Sequence, residues 1–128
     1  MQNLFLKIIS REIPAHIIWE NETHLAFLDI KPIQKGHTLV IPKKQIDYIF
    51  DMSSKEYTEL MLAAKEVAIL LKNKFECARV CIMVEGYAIP HTHIHLIPTN
   101  SDQDLKKEFR VREPSDADLL EIRDIILK

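Results

Sequence analysis

His91-Thr92-His93-Ile94-His95-Leu96-Ile97-Pro98 places half of the chain's six histidines within five residues. Successive side chains of a strand point to opposite faces. A strand over His91–Ile97 therefore lines one face with His91, His93 and His95 and the other with Thr92, Ile94 and Leu96. One face is chemical and the other belongs to a core. Imidazoles titrate near neutral pH, so such a row offers nucleophiles, proton donors and phosphate ligands. In a regular strand, neighbours in the row sit about 6.6 Å apart and the outer two about 13 Å. Two of them can share a metal ion; a third ligand would have to come from elsewhere, for instance His37.

Working outward, Gly86 precedes the row and marks a turn after a β-like segment, Arg79–Val84. Upstream of that, Ser53 with Glu56 forms a capping-box pattern. Tyr57, Leu60, Met61, Ala64, Val67, Ala68 and Leu71 then trace one face of a long helix. Three further strands are expected at His16–Trp19, His24–Asp29 and His37–Ile41, the first two joined by a polar loop, Glu20–Thr23. A short N-terminal helix carries Leu4, Phe5, Ile8 and Ile9, stopped by Pro14. Ser115 with Asp118 starts a C-terminal helix bearing Leu119, Leu120, Ile122, Ile125 and Ile126. Strands in runs with separate helices predict an α+β fold, with a mainly antiparallel sheet of about five strands.

The length, 128 residues, fits one domain over 1–128, and no repeat or Gly/Ser-rich linker divides it. A net charge of −2 argues against a general nucleic-acid or anionic-membrane binder, which needs a basic excess. No apolar run approaches the roughly 18 residues needed to cross a bilayer. The start, Met1 to Lys7, lacks the pattern of a secretory leader, so a cytoplasmic protein is expected. Cys77 and Cys81 stand at a spacing that matches no common zinc or redox motif and are expected to be reduced. The chain has only two glycines, Gly36 beside His37 and Gly86 before the histidine row. Each is expected where a side chain cannot sit, and a glycine turn also lets a phosphate approach backbone N–H groups.

The pattern His-φ-His-φ-His-φ-φ resembles the signature of the histidine triad (HIT) superfamily of nucleotide hydrolases and transferases. The resemblance extends to Lys7-Ile8-Ile9 with Glu12-Ile13-Pro14-Ala15, to Leu25–Pro32, and to Lys35-Gly36-His37-Thr38-Leu39-Val40-Ile41-Pro42-Lys43. Residues 101–128 carry no landmark of that family. It implies that His93 attacks the α-phosphorus of a nucleotide, giving a nucleotidyl-histidine that water hydrolyses. By the same resemblance His95 contacts a phosphate oxygen, His91 orients the nucleophile's other ring nitrogen, and His37 completes the histidine network. Asp29 would bind the ribose hydroxyls, and Phe5, Ile13, Phe27 and Ile30 the base. Gly86 and Ala88 lie in the phosphate-binding turn. The implied substrates are purine nucleoside phosphoramidates, acyl-nucleotides or dinucleoside polyphosphates, with AMP released and no metal or other cofactor required. A homodimer joining two five-stranded sheets is also implied.

Read without the resemblance, Asp29 suits a strand-end turn, and the four apolar residues suit an ordinary core. His16 and His24 read as surface residues, Lys43-Lys44 as a solvated strand end or a phosphate clamp, and Ser101–Glu113 as a solvated loop. The sequence departs from the family where many members carry a polar Gln or Ser that donates to the phosphates. Tyr87 and Ala88 stand there, so phosphate binding falls to backbone N–H groups and to Tyr87 if it faces inward. The turn from Val84 to His91 is also short. Asn3 and Leu6 occupy the places of a zinc-binding Cys-x-x-Cys found in some bacterial members, so that metal is not expected. Two other readings stay open: a nucleotide-binding regulatory module without turnover, and a histidine-based metal hydrolase.

Overall fold

The computed structural model describes residues 3–128. The reading of the N-terminus as leaderless rests partly on Met1 and Gln2, which lie outside the described residues. Five antiparallel strands form one sheet: β1 (Ile17–Glu20), β2 (His24–Leu28), β3 (Thr38–Pro42), β4 (Arg79–Met83) and β5 (Ile94–Thr99). Their order across the sheet is β1-β2-β3-β5-β4, so β4 is an edge. Three helices accompany it: α1 (Leu4–Ile9), α2 (Ser54–Phe75) and α3 (Asp116–Leu127). This is the expected α+β architecture.

Both faces of the sheet are covered, and alternation decides what each receives. Ala26, Leu28, Val40, Ile94 and Leu96 point toward α2 and α3, where they pack against Leu60, Ala63, Ala64, Val67, Leu71, Leu119, Ile122 and Ile126. Leu25, Phe27, Leu39 and Ile41 point the other way and meet Phe5 and Ile8 of α1. Every residue of β2 and of β3 is buried in consequence. Leu39 pairs with His95 across β3 and β5, which puts His95 on the α1 side.

Local chemistry explains the ends of the elements. Ser53 and Glu56 form the expected reciprocal capping box at the start of α2, and Ser115 with Asp118 does the same for α3. Gly36 has φ +88°, and a Cβ there would lie 2.6 Å from the Phe75 ring, so both backbone conformation and space demand glycine. Gly86 has φ +77° but open space around it; there the conformation alone demands glycine.

One expectation is corrected. The fifth strand begins at Ile94, because the Thr92 N–H and hydroxyl are bound to the Ile46 carbonyl at 2.7 and 2.6 Å instead of joining the sheet ladder. The Ser101–Glu113 stretch is mostly exposed, as expected, and within it lie 3-10 turns at Asp102–Leu105 and Lys107–Phe109. The Gln34 amide donates to the carbonyls of Asp104 and Phe109 at 2.8 and 3.2 Å, strapping it to the β2–β3 connection. Among the described residues, no helix is long and apolar enough to cross a membrane.

Candidate functional site

His91 and His93 lie just before β5 and His95 within it, yet all three rings meet one neighbourhood. The Phe5 ring packs edge-on against His91 and His93, with centroids 5.8 and 5.0 Å away. The His93 and His95 rings are 5.0 Å apart. His37, preceding β3, reaches His95 with Nε2 3.0 Å from Nδ1. His37, His91 and His93 are buried and His95 is half-buried.

The hydrogen-bond partners assign each ring's tautomer, because an N–H can only donate and a carbonyl only accept. The Ile33 N–H donates to His37 Nδ1 at 2.9 Å, so neutral His37 carries its proton on Nε2. That N–H donates to His95 Nδ1, which leaves the proton of neutral His95 on Nε2. Burial holds both His37 and His95 down to about 4, reinforced at His37 by the Arg110 charge and at His95 by the neighbouring histidines. Both are neutral at pH 7. His95 Nε2 is buried and has no partner within the protein, so it presents a preset donor.

His93 has the opposite arrangement. Its Nδ1–H donates to the His91 carbonyl at 2.8 Å, leaving the lone pair of neutral His93 on Nε2. A bare nitrogen and an N–H thus stand side by side. The group that orients His93 is the backbone of His91, whereas the resemblance had pointed to His91 without specifying an atom. The His91 ring has its own anchors: its Nε2–H donates to the Pro42 carbonyl at 2.7 Å, and Asn3 Nδ2 donates to its Nδ1 at 3.4 Å. Burial lowers its affinity for a proton.

Asp29, at the end of β2, does two things at once. One oxygen accepts from the Lys31 N–H at 2.8 Å, the strand-end turn that its sequence context suggested. The other lies 3.5 Å from His37 Nε2. Burial raises its pKa, opposed by the Lys31 N–H and the nearby histidines. Phe5 and Phe27 stack edge to face at 5.5 Å, with Ile13 packed against the same cluster. Ile30 is 59% exposed and does not belong to that buried cluster.

The turn before the row decides the orientation that the sequence left open. Tyr87 is 93% exposed and does not face inward, and Ala88 is exposed as well. His24, expected at the surface, is buried at 4% exposure, with Thr23 Oγ1 2.8 Å from its Nδ1. His16 is half-buried, its Nε2 2.9 Å from Asp116. Lys43 and Lys44 are committed to Glu20 and Glu56, each at 2.8 Å, and form no clamp. Sequence reading passed over Asn3 as a partner of His91, and over Glu85 and Arg110 altogether. Glu85 alone left a signal, an acidic residue beside the turn glycine Gly86 that precedes the histidine row.

Two groups of ligand-type atoms lie within 4.8 Å of one another: Asp29, His37 and His95, and Glu85, His93 and His95. A cation in the first would have to break the His37–His95 hydrogen bond.

Residues 10–102 match the family model of the HIT domain. The chain belongs to the HIT family. An uncharacterized HIT-like protein of Methanocaldococcus jannaschii is 40% identical over 99 residues, covering 74% of this chain and 77% of that one. A bis(5′-adenosyl)-triphosphatase of Dictyostelium discoideum is 27% identical over 118 residues, covering 84% and 79%. The crystal structure of a hypothetical histidine triad nucleotide-binding protein from Sulfolobus tokodaii superposes on this HIT protein with a TM-score of 0.84. It shares 30% identity and covers 96% of this chain and 88% of that one.

Proposed function

We propose that this HIT protein is a metal-independent nucleotide hydrolase or transferase, acting at the α-phosphorus of a purine nucleoside phosphoramidate, acyl-nucleotide or dinucleoside polyphosphate. The observation that carries the reading is the pair of opposed tautomers, a bare His93 Nε2 beside the His95 Nε2–H. His93 attacks phosphorus with its lone pair and the leaving group departs, giving a nucleotidyl-histidine. Its Nδ1–H, fixed by the His91 carbonyl, supports the positive charge that develops on the ring. His95 donates to a non-bridging oxygen where charge accumulates, and needs no reorientation to do so. Asp29, held by the Lys31 N–H through one oxygen, binds the ribose hydroxyls with its carboxylate. Phe5, Ile13 and Phe27 supply an apolar wall for the base, with Ile30 at its solvent edge. Gly86 and Ala88 offer backbone at the phosphates.

The test is AMP release from adenosine 5′-phosphoramidate and from diadenosine triphosphate, by wild type and His93→Ala, with and without EDTA. Turnover that survives EDTA and vanishes in the variant is expected. Full activity in His93→Ala would refute the reading, and AMP binding without turnover would make the chain a nucleotide-binding module. The dimer belongs to the same proposal. Edge strand β4 and the residue after it expose Ile82, Met83 and Val84, an apolar strip suited to a second copy of the chain. Ile82→Lys is expected to shift a dimeric mass in solution to the monomer; a wild-type monomer at micromolar concentration would remove the dimer from the proposal.

A further inference from the structure

Glu85 follows the edge strand by two residues, in the turn whose polar phosphate donors are replaced by Tyr87 and Ala88. The β4–β5 ladder ends with Met83 paired to His95, and Glu85 lies two residues beyond that pair. Its carboxylate lies within 4.8 Å of ring nitrogens of both His93 and His95. The Tyr87 N–H donates to Glu85 Oε1 at 3.3 Å, a turn that the positive φ of Gly86 permits. Glu85 is otherwise exposed to solvent. Histidine on one side, solvent on the other and a backbone donor behind it make Glu85 a positioned base at the mouth of the site.

We propose that Glu85 is the general base of the second half-reaction, activating the water that hydrolyses the nucleotidyl-histidine. This rests on the reading of His93 as nucleophile. The first half-reaction needs no base, because the lone pair of His93 is already bare. The second does, because water must lose a proton as it attacks. Displacements at phosphorus run roughly in line, so water enters on the side of phosphorus away from the His93 nitrogen, where the first leaving group departed. The water oxygen bonds to phosphorus, and the P–Nε2 bond breaks with its electron pair returning to His93. One water proton passes to the Glu85 carboxylate and from there to solvent. The products are a nucleoside monophosphate and neutral His93. The exposed position lets Glu85 shed its proton between turnovers and keeps its charge in a screening medium, which limits repulsion of the incoming phosphate. It also biases the protein toward hydrolysis over transfer to other acceptors.

The experiment is rapid-quench kinetics on the full chain with adenosine 5′-phosphoramidate, comparing wild type, Glu85→Gln and Glu85→Asp, with mass spectrometry of the quenched protein. Glutamine keeps an oxygen for the Tyr87 N–H but cannot take the proton. Glu85→Gln is expected to release about one equivalent of leaving group per site at the wild-type rate. Steady turnover then falls by about 10²–10⁴-fold, the usual worth of a general base. An adenylyl adduct on His93 accumulates, and Glu85→Asp recovers part of the turnover. Unchanged steady turnover in Glu85→Gln, or a slowed first turnover with no adduct, overturns the role of Glu85 while leaving His93 in place. Full activity in His93→Ala, or no turnover by wild type, overturns both.

Discussion

Replacing Gly36 by alanine puts two separate demands on the fold. Gly36 sits at φ +88°, where an L side chain costs about 1–2 kcal/mol. The new methyl would also lie 2.6, 2.9 and 3.2 Å from three atoms of the Phe75 ring. That ring closes α2 and packs against the main core, so it cannot swing freely aside. Overpacking of this kind costs about 1–3 kcal/mol. Alanine restricts the unfolded chain and returns about 0.4–1 kcal/mol. The net expectation is a loss of about 2–4 kcal/mol, which lowers a urea midpoint by roughly 1–2 M for a domain of this size. Urea denaturation of Gly36→Ala in wild-type and Phe75→Ala backgrounds separates the two contributions. In the truncated background only the dihedral cost should persist. A loss below about 1 kcal/mol, or an equal loss in both backgrounds, would refute the close approach of Gly36 and Phe75.

Three further outcomes follow from buried polar groups and caps. His37 is held at about 4 instead of 6.5 by burial, so the folded state resists a proton that the unfolded chain accepts. Its contribution to stability is intact above about pH 6.5 and lost as pH falls toward 4, by up to about 3 kcal/mol; a stability profile flat between pH 7 and 4.5 would contradict this. Thr92→Val removes the hydroxyl that donates to the Ile46 and Asp47 carbonyls at 2.6 and 3.2 Å. A loss of about 1–2 kcal/mol is expected by chemical denaturation, and a neutral substitution would show that the Thr92 N–H alone holds the segment. Ser53→Ala should cost about 1 kcal/mol and speed hydrogen exchange at Glu56, whose amide the Ser53 hydroxyl accepts at 3.1 Å.

The parts of this fold legible in its sequence are those written in local pattern. The capping boxes at Ser53 and Ser115, the apolar face of α2 and the β-branched run before Pro42 each depend on residues within a turn or two of one another, and each was placed within a few residues. The strand starts at Ile94 and not at His91 because the competitor of the ladder is remote: Thr92 binds Ile46, 46 residues earlier. The burial of His24 escaped for a related reason, since a histidine at a strand start looks exposed until the packing over it is known. The histidine row announced the site, but the tautomers came from the Ile33 N–H and the His91 carbonyl, groups that every residue possesses and that no side-chain pattern distinguishes. Asn3 meets His91 across 88 positions. Tyr87 was open to two orientations in sequence, and only the backbone of its turn selects the outward one.

The HIT-domain match ends at residue 102, whereas α3, from Asp116 to Leu127, inserts Leu119, Ile122 and Ile126 into the same core as α2 and β2. The stretch that matches the family model and the packed unit therefore have different boundaries. A fragment cut at the edge of the match would retain all four histidines of the site, yet it would uncover part of the hydrophobic layer behind them. Whatever side chains stand at 119, 122 and 126 must keep that layer sealed, so this helix is constrained in hydrophobicity more than in residue identity.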